Sequence, residues 1–263
     1  MKALGIDIGS LTTKAVILDD SRILASSIIL SGDEVEVSAR AAVAKALEQA
    51  GLDSVNDLYI VATGTGGKSV LFSQQQKATT TCLARGISRL FPSVRMAIDM
   101  GAESSTVIRV NERGRLADWA NHDKCASGTG MFLQQMARLM QMPLEEMATL
   151  SFRAKSRADI SNTCAVFAES EVISHIHRVL PTPREEIVAG IYFSTVSRIM
   201  ALCKRIGVAK EVAVTGGIAL NSGLVHILEE EMGFGVLVPD TPQIVAALGA
   251  AIIAQENIEK GAK

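Results

Sequence analysis

The apolar and polar positions at the start of the chain alternate in a strand pattern that is interrupted once. In "ALGIDIGSLTTKAVILDD" apolar residues alternate or run together on both sides of Gly9, Ser10, Thr12 and Thr13, which predicts a strand, a tight turn and a second strand. A third apolar stretch follows at "ILASSIIL", then helical spacing from Ala41 to Gly51, then a strand at "LYIVATGTGG". The order so far is β-β-β-α-β. Near residue 95 the opening pattern returns: "MAIDMGAESSTVIRV" repeats strand, Asp, apolar residue, Gly, small polar turn and strand, and such an echo predicts two related halves. The second half adds a strand at "RLADWAN" and a helix with Phe132, Met136 and Leu139 on one face. In "SNTCAVFAESEVISHIH" helical spacing resumes, with Val172, Ile176 and Val179 or Leu180 on one side. A helix from about Arg184 to Arg205, a strand at "EVAVTGG" and the apolar stretch "QIVAALGAAIIAQ" close the chain. With no linker rich in Pro, Gly or Ser, two α/β domains are expected around a ligand cleft. The first is residues 1–92 with 249–263; the second is 93–248.

Composition narrows the function classes. A chain of 263 residues can bury a sizeable core, and a formal net charge of -2 gives no basic footprint, so no nucleic-acid partner is expected. The start lacks an apolar targeting segment and no apolar run approaches the roughly 20 residues that cross a bilayer, so no membrane partner and a cytoplasmic location are expected. Four scattered cysteines, Cys82, Cys125, Cys164 and Cys203, are too few for a disulfide scaffold and should be reduced thiols or metal ligands.

The interruption at Gly9 carries chemistry. Asp7 sits at a strand end, followed by Gly9, Ser10, Thr12 and Thr13, with Lys14 just beyond. Glycine lets a backbone approach a phosphate, turn amides and hydroxyls donate to its oxygens, and a carboxylate can hold magnesium through water. A second Asp-x-Gly turn occurs at Asp99 and Gly101, and "VTGGIALNSG" supplies Gly216 and Gly217 ahead of a helix. One such turn merely links strands about as often as not; three in this order fit a clamped nucleotide. They resemble the turns of the actin, sugar-kinase and heat-shock chaperone superfamily, which implies an actin-like (ribonuclease H-like) α/β fold. No G-x-x-x-x-G-K-[ST] loop occurs.

Cys125 and Cys164 each precede a helical stretch. A helix N-terminus stabilises a thiolate and suits it to metal, whereas free cysteines elsewhere behave as small buried hydrophobes, the reading given to Cys82 and Cys203. Two thiolates cannot complete the four-cysteine set of an iron-sulfur cluster, but a two-fold dimer can.

Together, "GIDIGS", "DKCASGTG", "TCAVFAESEVIS", "VTGGIALNSG" and "ALGAAIIA" resemble the activator ATPases of the 2-hydroxyacyl-CoA dehydratases, a family that includes the ATP-binding subunits of benzoyl-CoA reductase. The resemblance covers nearly the whole chain. It implies a homodimer holding one 4Fe-4S cluster on Cys125 and Cys164, and ATP/ADP with Mg2+ on Asp7, Gly9, Ser10, Thr12, Thr13, Lys14, Asp99 and Gly101. It places Gly128 and Gly130 with the cofactor-binding turns and Gly216, Gly217 and Asn221 on the nucleoside side. It also implies a ferredoxin- or flavodoxin-type electron donor and a dehydratase or CoA-ester reductase as acceptor. The second turn departs from the family's usual G-G-Q-D-[ST]-K, reading Gly101, Ala102, Glu103, Ser104, Ser105 and Thr106, so Glu103 joins Asp7 and Asp99 as a candidate catalytic carboxylate. A subunit of a benzoyl-CoA reductase-type complex, a small-molecule kinase with Asp99 or Glu103 as base, and a non-hydrolysing nucleotide sensor remain alternatives.

Overall fold

The computed structural model describes residues 2–20, 22–122 and 129–261; Cys125 and Gly128 fall outside the described residues. The chain divides into two compact units. Unit 1 comprises residues 1–97, 108–118 and 239–263, and unit 2 comprises 98–107 and 119–238.

The first sheet is built from β1 (Lys2–Ile8), β2 (Thr12–Asp19), β3 (Arg22–Leu30), β4 (Tyr59–Gly64) and β5 (Gln75–Gln76), in the order β3-β2-β1-β4-β5. Its first three strands pair antiparallel and β4 joins β1 in parallel, after the crossover helix α1 (Val35–Ala50). Strand β1 is buried at every position after Lys2 because both faces of the sheet are covered. Leu4, Ile6 and Ile8 pack with Ala39, Ala42 and Val43 of α1 on one face. On the other, Ala3, Val16 and Val61 meet the small residues of α8 (Val245–Gly261), with α2 (Thr79–Leu90) beside it. Close approach is obligatory there: a Cβ on Gly5 would sit 2.0 Å from the Ala247 carbonyl oxygen, and one on Gly249 1.7 Å from that of Cys82.

The second sheet comprises β6 (Met96–Met100), β7 (Ser105–Val110), β8 (Leu116–His122) and β9 (Val212–Thr215), in the order β8-β7-β6-β9. Unit 2 holds α3 (Gly130–Leu139), α4 (Leu144–Ser151), α5 (Ala165–Ile176), α6 (Arg184–Ile206) and α7 (Ser222–Met232). By length and mean hydropathy (1.4) α6 could cross a bilayer, contrary to the expectation that no apolar run comes near that length, but 61% of its apolar stretch is buried in the protein, as befits a core helix.

Two expectations are corrected here. Helix α1 starts at Val35, six residues before Ala41, with Glu36 in its first turn, where a carboxylate favours the helix dipole. Helix α5 stops at Ile176, so Val179 (101% exposed) and Leu180 (86%) do not continue its buried side. The chain folds back there instead, the Thr182 amide donating to the His175 carbonyl at 3.1 Å, and Pro181 keeps Leu180 out of helical geometry.

Candidate functional site

In unit 1, β1 and β2 form the predicted hairpin, with Asp7 opposite Lys14 and Ile8 opposite Thr13. The Gly9 amide donates to the Thr12 carbonyl at 3.0 Å, closing the turn over exposed Ser10. Lys14 Nζ lies 3.1 Å from Asp7 Oδ2, both largely buried, so the first carboxylate carries its own counter-ion. Sequence reasoning missed the residues that brace this turn. Ser31 Oγ donates to the Gly9 carbonyl and shares a 2.9 Å hydrogen bond with Thr13 Oγ1, while the Ser31 amide donates to Leu11. From the end of β4, Thr65 Oγ1 and the Gly66 amide both donate to the Ile8 carbonyl at 3.2 Å. Gly64, at φ +88°, leaves no room for a side chain: its Cβ would fall 2.2 Å from the Ile8 oxygen and 2.6 Å from Asp7 Oδ1. The run of small residues in "TGTGG" was the available signal.

In unit 2 the second turn repeats the closure, with the Gly101 amide donating to Ser104 at 2.9 Å. Asp99 has a different partner: Thr215 Oγ1 donates to its Oδ1 at 2.8 Å. Glu103 stands exposed at the tip. Gly216, at φ +86°, passes so close to the end of β6 that a Cβ would lie 2.3 Å from the Met100 oxygen, placing the Gly216–Gly217 turn beside the Asp99 turn. The Asn221 side chain caps α7 by accepting from the Leu224 amide at 3.0 Å and donates to the Tyr192 hydroxyl at 2.8 Å, so both of these contacts brace the turn. The start of α3 meets the second turn directly: the Gly130 and Met131 amides donate to the carbonyls of Gly101 and Ala102 at 3.0 and 2.9 Å. The helix that follows the Cys125 segment thus spends its first donors on the second turn.

Of the cysteines described, Cys82 and Cys203 are fully buried and burial pushes both thiols up to about 12, the structural role expected of them. Cys164 is half-buried and occupies the N-cap of α5 itself, in extended backbone at φ -146° and ψ 135°. The donor chemistry suits a thiolate ligand: the N-cap sulfur stands at the helix's positive end and no side-chain hydrogen bond occupies that cap. Among the described residues no group of three metal-ligating side chains gathers. Exposed Val166 and Phe167 follow Cys164, and a shallow cavity of about 230 Å³ lies alongside α3 and α5, lined by Met131, Gln135 and Glu169 among others.

An α/β fold carrying two Asp-x-Gly turns and a Gly-Gly turn is that of an actin-like ATPase. The profile of the BadF/BadG/BcrA/BcrD ATPase family matches residues 4–254, and the chain belongs to that family. It is 38% identical to the 2-hydroxyisocaproyl-CoA dehydratase activator of Clostridioides difficile, covering all of this chain and 98% of that one. With the activator of lactoyl-CoA dehydratase from Anaerotignum propionicum it shares 39% identity over 99% of this chain and 100% of the other. A benzoyl-CoA reductase subunit from Thauera aromatica is 35% identical, over 82% of this chain and 78% of its own length. The solved structure of the activator of the 2-hydroxyisocaproyl-CoA dehydratase from Clostridium difficile with bound ADPNP superposes with a TM-score of 0.91, 38% identity and coverage of 99% and 97%. A glucokinase of the ROK family from Streptomyces griseus superposes at 0.58 with 14% identity over 97% of this chain and all of the other, a likeness of fold alone.

Proposed function

We propose that the chain is an ATP-hydrolysing activator that delivers a low-potential electron to a 2-hydroxyacyl-CoA dehydratase or a related CoA-ester reductase component. Asp7, Gly9, Ser10, Thr12, Thr13 and Lys14 hold phosphate and Mg2+ in unit 1. Asp99, Gly101 and Glu103 do so in unit 2, Gly128 and Gly130 belong to the cofactor-binding turns, and Gly216, Gly217 and Asn221 serve the nucleoside. Cys164 and Cys125 bind one 4Fe-4S cluster shared by two copies of the chain. When bound, the cluster supplies one-electron chemistry, refilled by a ferredoxin- or flavodoxin-type donor in the cytoplasm. The observation that carries this reading is Cys164: an accessible thiol at a helix N-cap, flanked by exposed Val166 and Phe167, in a chain whose Cys82 and Cys203 are sealed in the core. A single protomer has too few such sulfurs for a cluster, so a second copy is required to complete the set. The near-complete coverage of the dehydratase activators, against 78% of the benzoyl-CoA reductase subunit, favours a stand-alone activator.

Anaerobic purification tests it. About four irons per dimer are expected, lost in both Cys125→Ala and Cys164→Ala, with one electron passed to a dehydratase only when ATP is supplied. Iron-free protein that phosphorylates a sugar or an acid overturns this function in favour of a kinase.

A further inference from the structure

The segment Ala158–Thr163, which leads into Cys164, has no regular structure of its own, yet four of its six residues are held by hydrogen bonds from α5 or α6. The Ala158 amide donates to the Glu186 carbonyl at 2.9 Å, and the Ser161 amide to Glu171 Oε2 at 2.5 Å. His175 Nε2 lies 3.2 Å from the Asp159 carbonyl oxygen, and Ser194 Oγ donates to the Ser161 carbonyl at 2.8 Å. Arg198 Nη2 donates to the carbonyl of Thr163, the group bonded directly to the Cys164 nitrogen. Glu186, Gly190, Ser194 and Arg198 recur every fourth residue, which aligns them along one face of α6. Gly190 keeps that face open, since a Cβ there would lie 2.3 Å from the Ala158 oxygen. The dimensions agree: Glu186 to Arg198 rises about 18 Å of helix, and Ala158 to Thr163 spans about 17 Å of extended chain.

Arg198 does one thing more. Its Nη1 lies 3.2 Å from His122 Nε2, at the end of β8 and three positions ahead of Cys125 in sequence. Its Nε is buried without a partner among the described residues. A guanidinium is suited to such a bridge, because its planar fork offers donors in fixed directions to two chain segments at once.

We propose that Arg198, supported by Ser194, is the positioning residue for the Cys164 segment, locking Thr163–Cys164 to the end of β8 through one side chain. The inference rests on the cluster reading of Cys125 and Cys164 for its purpose, but its geometry can be tested without the cluster. Hydrogen–deuterium exchange on protein as purified should show peptide 158–164 opening about tenfold more readily in Arg198→Ala, with β1 unchanged, and Arg198→Lys recovering part of the protection. The same variant should lose iron to a chelator about ten- to hundredfold faster, as outer-shell partners of metal ligands do, and the double variant Arg198→Ala/His122→Ala should fall short of the sum of the two singles. Ser194→Ala, a smaller change, gives the same exchange effect in weaker form if Arg198→Ala does not fold. Exchange at 158–164 equal to wild type overturns the positioning role. Raised exchange with unchanged iron release overturns its connection to the cluster. Wild-type protein without iron refutes the function proposed above and leaves the exchange measurement to judge this inference.

Discussion

The turn after β1 and the turn after β6 begin alike and are held differently. Each follows a buried strand, each places a carboxylate two residues before a glycine, and each closes with that glycine's amide on a carbonyl three residues on. The first gives its carboxylate an ammonium, Lys14 at 3.1 Å; the second gives its carboxylate a hydroxyl, Thr215 at 2.8 Å, from a strand more than a hundred residues later. A cation pairs with Asp7, and on the proposed function a phosphate arriving at this turn would share it, since the same ammonium is drawn to both. The Thr215 hydroxyl orients Asp99 from β9. On the proposed function the first turn would exchange partners on binding, while the Thr215 hydroxyl ties the second to β9. Surroundings extend the contrast: the first is braced within unit 1 by Ser31 and Thr65, whereas the second is bonded to the start of α3 and thereby to the helix behind the Cys125 segment.

The largest effects should come from the glycines that let each turn lie against its neighbour. Gly64→Ala and Gly216→Ala both force a side chain into left-handed backbone and against a carbonyl oxygen 2.2–2.3 Å away, costing about 3–5 kcal/mol each in urea unfolding. Gly9→Ala breaks the symmetry usefully: its Cβ would meet the Lys14 ammonium and the Thr12 oxygen at 3.0 Å, and the lysine end can move, so about 1 kcal/mol is expected. Equal costs at all three positions would show that close approach does not govern these turns.

Next comes removal of each carboxylate's partner. Lys14→Met leaves Asp7 largely buried and unpaired, about 3 kcal/mol of stability lost, together with weakened binding of ATP. Thr215→Val deletes one hydroxyl of matching shape, about 1–2 kcal/mol, and should lower hydrolysis more than it weakens nucleotide affinity. Calorimetric titration with ADP alongside single-turnover hydrolysis separates the two, and an identical pattern in both variants dissolves the distinction between an exchanging and a fixed carboxylate.

All the strands but the two-residue β5 were legible from their short period and apolar runs, and both Asp-x-Gly turns stood out where glycine broke that pattern. What escaped was long-range. Ser31 and Thr65 brace the first turn from 22 and 57 residues away, and nothing in an isolated Ser or Thr reveals which carbonyl it will meet. Nothing in the sequence shows that Glu171 accepts a backbone amide of the segment ahead of Cys164. Arg198 passed unnoticed within an amphipathic helix, because its partners Thr163 and His122 come from two separate segments. Val179 and Leu180 misled in the opposite sense: their spacing fits the face of α5, but the helix stops at Ile176 and the chain folds back, the Thr182 amide on the His175 carbonyl.

The smallest effect sharpens the contrast among the thiols. Burial raises Cys82 and Cys203 to about 12 against 9.0 for an ordinary thiol, so folded protein keeps both protonated where the unfolded chain would begin to ionise. A raised pKa of this kind leaves stability intact below pH 9 and withdraws it as pH climbs from 9 toward 12, because unfolding then releases protons. In iron-free protein at about pH 8.5, iodoacetamide should accordingly modify Cys164, half-exposed at its N-cap, and spare Cys82 and Cys203 until denaturant is added. Peptide mass mapping reads the outcome. Labelling of either core thiol ahead of Cys164 would mean that the N-cap sulfur is no more available than the sealed ones, and the choice of Cys164 as a ligand would lose its physical basis.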